Sequence, residues 1–231
     1  MRTIPHPCGQ RGISLLEVAV AIALLGVIVM MLLPALPRRS KHGAARIKCV
    51  MNLKQIALGY RVFANDHDDK FPFLVTNSLA YGNVTQAWLH FQAMSNECGS
   101  AKILLCPADR ERLKDMTADF LTGPTSTALS LSSKSNRAVS FTASLDADQT
   151  LPNVILSSDR HLLTTSTNLD GRVFLALSNV TTTAWTKSQH DGAGNLALSD
   201  GSVQQVTSSA LASHIRQQGI ATNRLLLPLL P

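Results

Sequence analysis

The residues of this chain with chemistry to offer are a carboxylate inside an apolar run, a group of aspartates in the C-terminal third, a histidine beside them and four cysteines. Glu17 lies in the stretch from Ile13 to Leu33, where besides it only Ser14 and Gly26 are not apolar. An ionisable group in such a run is costly to desolvate and marks a functional site by default. His190, Asp191, Asp200 and Ser202 have the residue types of a hydrolase triad, in which a base activates a hydroxyl. The residues around Ser202 do not make a nucleophile elbow, however, and Asp200-Gly201 is accounted for as a turn. Asp159, Asp191 and Asp200 are the candidates for a calcium site reached through loops. The acid-rich run Asn65-Asp66-His67-Asp68-Asp69-Lys70 lacks the ligand spacing and glycine of an EF-hand and reads as a solvated helix exit. There is no Gly-rich phosphate loop and no metalloprotease motif. No catalytic residue is expected, the chain is read as a non-enzyme, and calcium is the one cofactor with candidates.

The elements that must position these residues follow from periodicity. Residues 13–33 number 21, about 30 Å of helix at about 1.5 Å per residue, which makes them a candidate membrane span. The run is too long for a secretory signal peptide and leads into Pro34 and Arg38-Arg39 rather than a small-residue cleavage site. Past Pro34 and Pro37, Cys49, Leu53, Ile56, Tyr60 and Phe63 recur at alternating spacings of four and three, one apolar stripe on a helix whose other side carries Lys48, Lys54 and Arg61. A short helix is expected with Trp88, Leu89, Phe91 and Met94 buried, strands over 102–106, 138–143, 154–157 and 173–177, and a Ser/Thr-rich loop over 117–135. Two alternating runs joined at Asp200-Gly201 predict a hairpin over 194–206. A helix over 208–218 should close the chain, capped by Ser208 or Ser209 and stopped by Gly219.

At Gly12, Ile13 and Glu17 the chain resembles the type IV prepilins and type II secretion pseudopilins, whose hallmark is a short basic leader ending in Gly, then a hydrophobic residue, then glutamate as the fifth residue of the mature chain. Pro34 stands where such proteins often carry a proline. The phrases Cys49-Val50-Met51-Asn52-Leu53-Lys54-Gln55-Ile56 and Ala64-Asn65-Asp66, with Trp185, His190, Gly194-Asn195 and Asp200-Gly201-Ser202-Val203, are similar to pseudopilin-like proteins typical of Verrucomicrobia and Planctomycetes. The resemblance implies a leader over 1–12, a transmembrane helix over 13–36, an amphipathic neck helix over 37–66 and a periplasmic globular domain over 67–231. The implied fold is α+β and pilin-like, a long N-terminal helix packed on a small antiparallel sheet. The implied partners are a prepilin peptidase cutting between Gly12 and Ile13 and methylating Ile13, other pseudopilin subunits in a homo- or heteropolymer, an inner-membrane assembly platform and the membrane itself. Glu17 would then pair with the Ile13 ammonium of a neighbouring subunit and set the axial register. The expected location is the inner membrane, single-pass, with a cytoplasmic N-terminus and a periplasmic C-terminal domain. A bitopic protein with a periplasmic ligand-binding domain is the alternative.

Charge and cysteine usage bear on both readings. The net charge of +6 is concentrated between residues 38 and 61, which hold seven basic residues and no acid, while the chain from Val62 onward is mildly acidic. A generally nucleic-acid-binding domain is therefore not expected. The basic flank after the apolar run taken alone would place that side in the cytoplasm; the cleavage motif, which needs Gly12 within reach of a cytoplasmic-face peptidase, takes precedence. Cys8 would leave with the leader, so Cys49, Cys98 and Cys106 remain, giving one disulfide and one free thiol. The pairing is Cys49–Cys106, stapling helix to domain, or Cys98–Cys106, closing a local loop. The cysteines show no Cys-x-x-Cys spacing and the histidines are scattered, so no zinc pattern emerges.

Overall fold

In the computed structural model the described residues are 14–32, 41–83, 85–163, 167–168, 173–177 and 183–229. The chain divides into two compact units, Met1–Ser40 and Lys41–Pro231. In the first, the apolar run folds as helix α1 (Leu15–Leu32), 18 residues long with Glu17 in its first turn. Among the described residues no helix is long and apolar enough to cross a membrane. The expected span over 13–36, and with it the single-pass inner-membrane placement, is therefore overturned. Eighteen residues rise about 27 Å, whereas a spanning helix needs about 20 mostly apolar residues, and α1 gives one of its places to a carboxylate. Gly12, Ile13, Pro34 and Pro37 lie outside the described residues, as does the continuity of one helix from 13 to 66.

The second unit is built on α2 (Lys41–Asn65). Its stripe is as the spacing predicts: Cys49, Leu53, Ile56, Tyr60 and Phe63 are all buried in one core with Leu156, Phe141 and Ala197. Tyr60 meets Phe71 and Phe91 edge-on at ring-centroid distances of 5.8 and 6.3 Å. Each large side chain so buried contributes about 1.5–3 kcal/mol, so this stripe orients the helix. The chain leaves α2 through His67, Asp68 and Asp69, the latter two at positive φ, and enters α3 (Ala87–Gln92) and α4 (Ser95–Cys98). Ala87, Phe91 and Met94, spaced four and three, point inward; Trp88 and Leu89 lie beside that stripe and are half-buried.

Two expected strands dissolve into turns. Residues 101–104 form a 3-10 turn, its buried Ala101 and Leu104 three residues apart as that helix requires. The carbonyls of Leu104 and Leu105 accept from the Ser140 amide (2.8 Å) and the Asn52 side chain (2.9 Å), so the run finds partners without a ladder. Over 138–143, the Val139 carbonyl is taken by the Arg112 guanidinium, and only Ala143 enters a strand, β1 (Ala143–Ser144). The Ser/Thr-rich segment before it is mostly irregular and holds the short helix α5 (Leu131–Lys134).

The remaining strands are β2 (Ile155–Ser158), β3 (Leu162–Leu163), β4 (Thr167–Asn168), β5 (Val173–Leu177), β6 (Ala184–Trp185), β7 (Ala193–Leu198), β8 (Val203–Thr207) and β9 (Thr222–Leu226), with helices α6 (Lys187–His190) between β6 and β7 and α7 (Ser208–Gln217) before β9. Among the described residues they form antiparallel sheets of order β1-β9-β5-β4, β2-β7-β8 and β3-β6. The chain is thus mixed α and β, with small antiparallel sheets and an N-terminal helix. The three-stranded sheet shares a core with α2, and Thr142 joins it to the four-stranded one by donating its amide to the Ser158 carbonyl (2.7 Å).

The β7–β8 hairpin turns at Asp200-Gly201. Gly201 has φ +85°, and the Asp200 carboxylate accepts from the Ser202 amide at 2.8 Å. Arg61 of α2 lies over this turn and donates to the Asp200 carbonyl at 2.6 Å, so part of the basic helix side serves docking. α7 is capped by Thr207, whose hydroxyl accepts from the Ala210 amide, because Ser208 spends its hydroxyl on the Trp185 amide at 2.9 Å. Gly219, at φ +79°, follows its end. Gly194 on β7 is needed for space: a Cβ there would stand 2.5 Å from three Trp185 ring carbons. Gly194→Ala is expected to destabilise the unit by about 1–3 kcal/mol and to red-shift Trp185 emission as the ring is forced outward. Wild-type emission in the variant would show the indole does not rest on this glycine.

Candidate functional site

The loop from Cys106 to Arg112 gathers the polar chemistry of the globular unit. It is short, follows Pro107, and sends three side chains in different directions. Cys106 forms a disulfide with Cys49 of α2, the Cα atoms 4.8 Å apart, and Cys98 is a free thiol, half-buried, pushed up to about 12 by burial with the Glu97 carboxylate adding to it. Asp109 is buried; Arg160 donates to both its oxygens, Nε at 2.7 Å and Nη2 at 2.9 Å, and the Ser140 hydroxyl donates at 2.9 Å. Burial alone would raise the Asp109 carboxyl, but the hydrogen bonds from Arg160, with His161 Nε2 3.6 Å away, outweigh it and hold the group well below the usual carboxylate range. Arg160 also reaches Glu111. Arg112 donates to the carbonyls of Asn136, Val139 and Pro228, tying the C-terminal segment to the loop.

On the other side of Cys106 stands His190, the last residue of α6, placed by the Thr186 cap at the start of that helix and by Asp191, left-handed at φ 55°, at its end. The His190 Nε2 lies 3.6 Å from Cys106 Sγ, 3.5 Å from Asp159 Oδ2 and 3.4 Å from Asn195 Nδ2. Arg46 of α2 donates to the His190 carbonyl at 2.6 Å. Asp159, at the exit of β2, accepts from the Asn195 amide (2.7 Å) and side chain (2.9 Å) through the same Oδ2, while its buried Oδ1 has no hydrogen-bond partner. Burial pushes the Asp159 carboxyl up to about 7 against the lowering effect of the Asn195 donors. It pushes the His190 imidazole down to about 4, with the Arg46 charge adding to it. An imidazole whose proton affinity is lowered and a carboxyl group whose acidity is weakened thus face one another in the buried interior.

This arrangement differs from both groupings that these residue types suggest, the triad already set aside and the calcium site. His190 does face an acid, but the acid is Asp159 rather than Asp191 or Asp200, and the third group is a disulfide sulfur in place of the Ser202 hydroxyl. Ser202 belongs to the hairpin turn, where Asp200 binds its amide. The calcium candidates Asp159, Asp191 and Asp200 do not converge. Asp191 and Asp200 stand at opposite ends of β7, whose six residues extend about 20 Å, and Asp159 is buried in the sheet against Asn195. Asp109, Glu111 and His161 bring ligand atoms within 4.8 Å of one another, but the Arg160 guanidinium already pairs with both carboxylates.

No protein-family model, curated protein or solved structure matches the chain. What it can do is therefore read from its own two sites, the buried cluster and the surface of α1. Glu17 is exposed in the first turn of α1, and the apolar side chains around it are exposed as well, Leu15 at 88% and Met30 at 76%. Exposed apolar residues recur at Val18, Val20, Ile22, Leu24, Leu25, Val27 and Ile28, consecutive enough to cover every side of the helix. The roles of Arg46, Asp109 and Arg160 carry no sequence signal beyond their charge. Asp109 sits in the phrase Cys106-Pro107-Ala108-Asp109, but nothing in the sequence brings Arg160 to it.

Proposed function

We propose that this chain is a structural subunit of a type IV pilin-like or type II secretion pseudopilin filament, matured by a prepilin peptidase between Gly12 and Ile13, methylated on Ile13 and polymerised with its own copies or other pseudopilins on an assembly platform. The observation that carries this reading is α1, a helix apolar on every side, exposed along its length, with one carboxylate in its first turn. An apolar surface of that extent calls for a cover. Packing against the same helix of neighbouring subunits supplies one, and it brings the Ile13 ammonium of one copy to Glu17 of another, each charge offsetting the desolvation of its partner. The globular unit, with the helix α2 on a small antiparallel sheet, is the pilin-like body that such a filament displays.

Mass spectrometry of the mature N-terminus, on chain taken from its native cells, tests the maturation step. Methylated Ile13 is the expected first residue, and an intact Met1 or a cut elsewhere would defeat the reading. Glu17→Gln is then expected to leave the cut in place while filaments recovered by shearing and sedimentation fall at least tenfold. Undiminished filament yield would remove the role of Glu17 in register.

A further inference from the structure

Four side chains from distant parts of the chain gather in one buried region, three of them with their ligand atoms together and Asp159 behind His190. Cys49 arrives from α2, Cys106 from the loop, His190 from the end of α6 and Asp159 from the exit of β2. The two sulfurs and the His190 Nε2 lie within 4.8 Å of one another, all in buried residues. Two of the distances are those of a tetrahedral metal shell. Zinc–sulfur bonds of about 2.3 Å and zinc–nitrogen bonds of about 2.1 Å put the two donors about 3.6 Å apart, and Cys106 Sγ to His190 Nε2 is 3.6 Å. The same arithmetic puts nitrogen and carboxylate oxygen about 3.4 Å apart, and His190 Nε2 to Asp159 Oδ2 is 3.5 Å. Asp159 keeps a second, buried oxygen with no partner, and Asn195 holds the carboxylate through two hydrogen bonds, the outer support that metal ligands ordinarily have.

We propose that in the dithiol state Cys49, Cys106, His190 and Asp159 bind a zinc ion, and that zinc and the disulfide are alternative clamps on the same segments of the fold. Two thiolates, an imidazole and a carboxylate suit zinc, whereas calcium takes six to eight oxygens and would leave this donor set unused. The sulfurs must separate, to about 3.8 Å at those bond lengths, and the Asp159 carboxylate must close on them. The exchange balances as thiol–disulfide exchange with the disulfide of a dithiol oxidoreductase. One zinc-bound thiolate attacks the oxidoreductase disulfide and the second resolves the mixed disulfide, so the two thiolates give up two electrons and join as Cys49–Cys106, the attacked disulfide takes those electrons and two protons from solvent to become two thiols, and the zinc ion is released. The chain would thus carry a folded core before oxidation and keep it after.

The test uses the full chain, reduced under anaerobic conditions, supplied with zinc, exchanged into metal-free buffer and analysed for bound metal, with cobalt(II) as a visible stand-in. One zinc ion per chain is expected in the reduced sample, and at least tenfold less in the oxidised one. The cobalt form should show a thiolate charge-transfer band and the strong visible bands of tetrahedral geometry. Asn195→Ala, which keeps every ligand, should weaken zinc binding by about 10–100-fold. A reduced chain that is folded by far-ultraviolet circular dichroism yet holds no zinc overturns the proposal, as does an octahedral cobalt spectrum. If the reduced chain unfolds without metal, zinc must restore its circular dichroism, and failure to do so overturns it equally.

Discussion

Cys49→Ser, studied as the metal-free oxidised chain, is expected to lower the stability of the globular unit by about 4 kcal/mol. The magnitude comes from the separation of 57 residues between the two cysteines, because a crosslink removes from the unfolded chain the entropy of closing a loop of that length. The native state loses more than a tether. Cys49 and Cys106 are fully buried, so the variant leaves a hydroxyl and a lone thiol in the core beside His190, and Asn52, one turn on, is the next link from α2 to that loop, through the Leu105 carbonyl. Urea unfolding followed by circular dichroism measures the effect, and Cys98→Ser is the control. Cys98 makes no disulfide, so its replacement should cost less than about 1 kcal/mol. Equal losses in the two variants would mean the crosslink contributes no more than the packing of any half-buried thiol.

Arg160→Ala is the second large effect, about 3–5 kcal/mol. The Asp109 carboxylate has no exposed surface, and the Arg160 guanidinium is its bidentate partner. Removing the arginine leaves the Ser140 hydroxyl and His161 to stabilise a buried negative charge. Two groups cannot replace a charged fork, so the carboxylate must either stay charged at a high cost or take up a proton.

That choice gives a test that simple structural damage would not mimic. In the wild type the folded Asp109 carboxyl is held below its ordinary value of 3.8. Its contribution is therefore fully present above about pH 4 and is lost as pH falls below that value, because the unfolded chain then binds the proton more readily. In Arg160→Ala the hydrogen bonds and charge of the arginine are gone and burial, which raises the group, prevails over what remains. The folded state becomes the better proton binder, and this group then costs stability as pH rises through the carboxylate range. Denaturation midpoints measured from pH 3 to 7 should show the wild-type contribution rising with pH and the variant's falling. Parallel curves would mean Arg160 acts through packing alone.

How much of this was legible beforehand depends on the distance over which each feature is decided. The α2 stripe from Cys49 to Phe63 was readable because helical periodicity is a property of neighbours three and four residues apart. The hairpin was readable because Asp200-Gly201 carries its own turn geometry, and Gly219 ends α7 for the same local reason. The run Lys102 to Cys106 misled, since a short apolar segment has the same composition in a buried turn as in a strand. What decided it was the Ser140 amide and the Asn52 side chain, both distant in the chain. The strand β9 went unread because its partners, β1 and β5, come from elsewhere in the sequence.

The same division runs through the sites. The sequence by itself determined the apolar length and single charge of α1, the helical stripe of α2 and the turn at Gly201, since each is set by residues adjacent in the chain. It offered Cys49–Cys106 as one of two disulfide pairings, the one the structure holds, and left His190 and Asp159 in other groupings. Tertiary structure alone decided that these four gather in one buried region and that Arg160 pairs with Asp109. Ligand geometry and buried charge pairs are made by segments that fold onto one another, and that juxtaposition is paid for by the whole core rather than encoded in any one stretch.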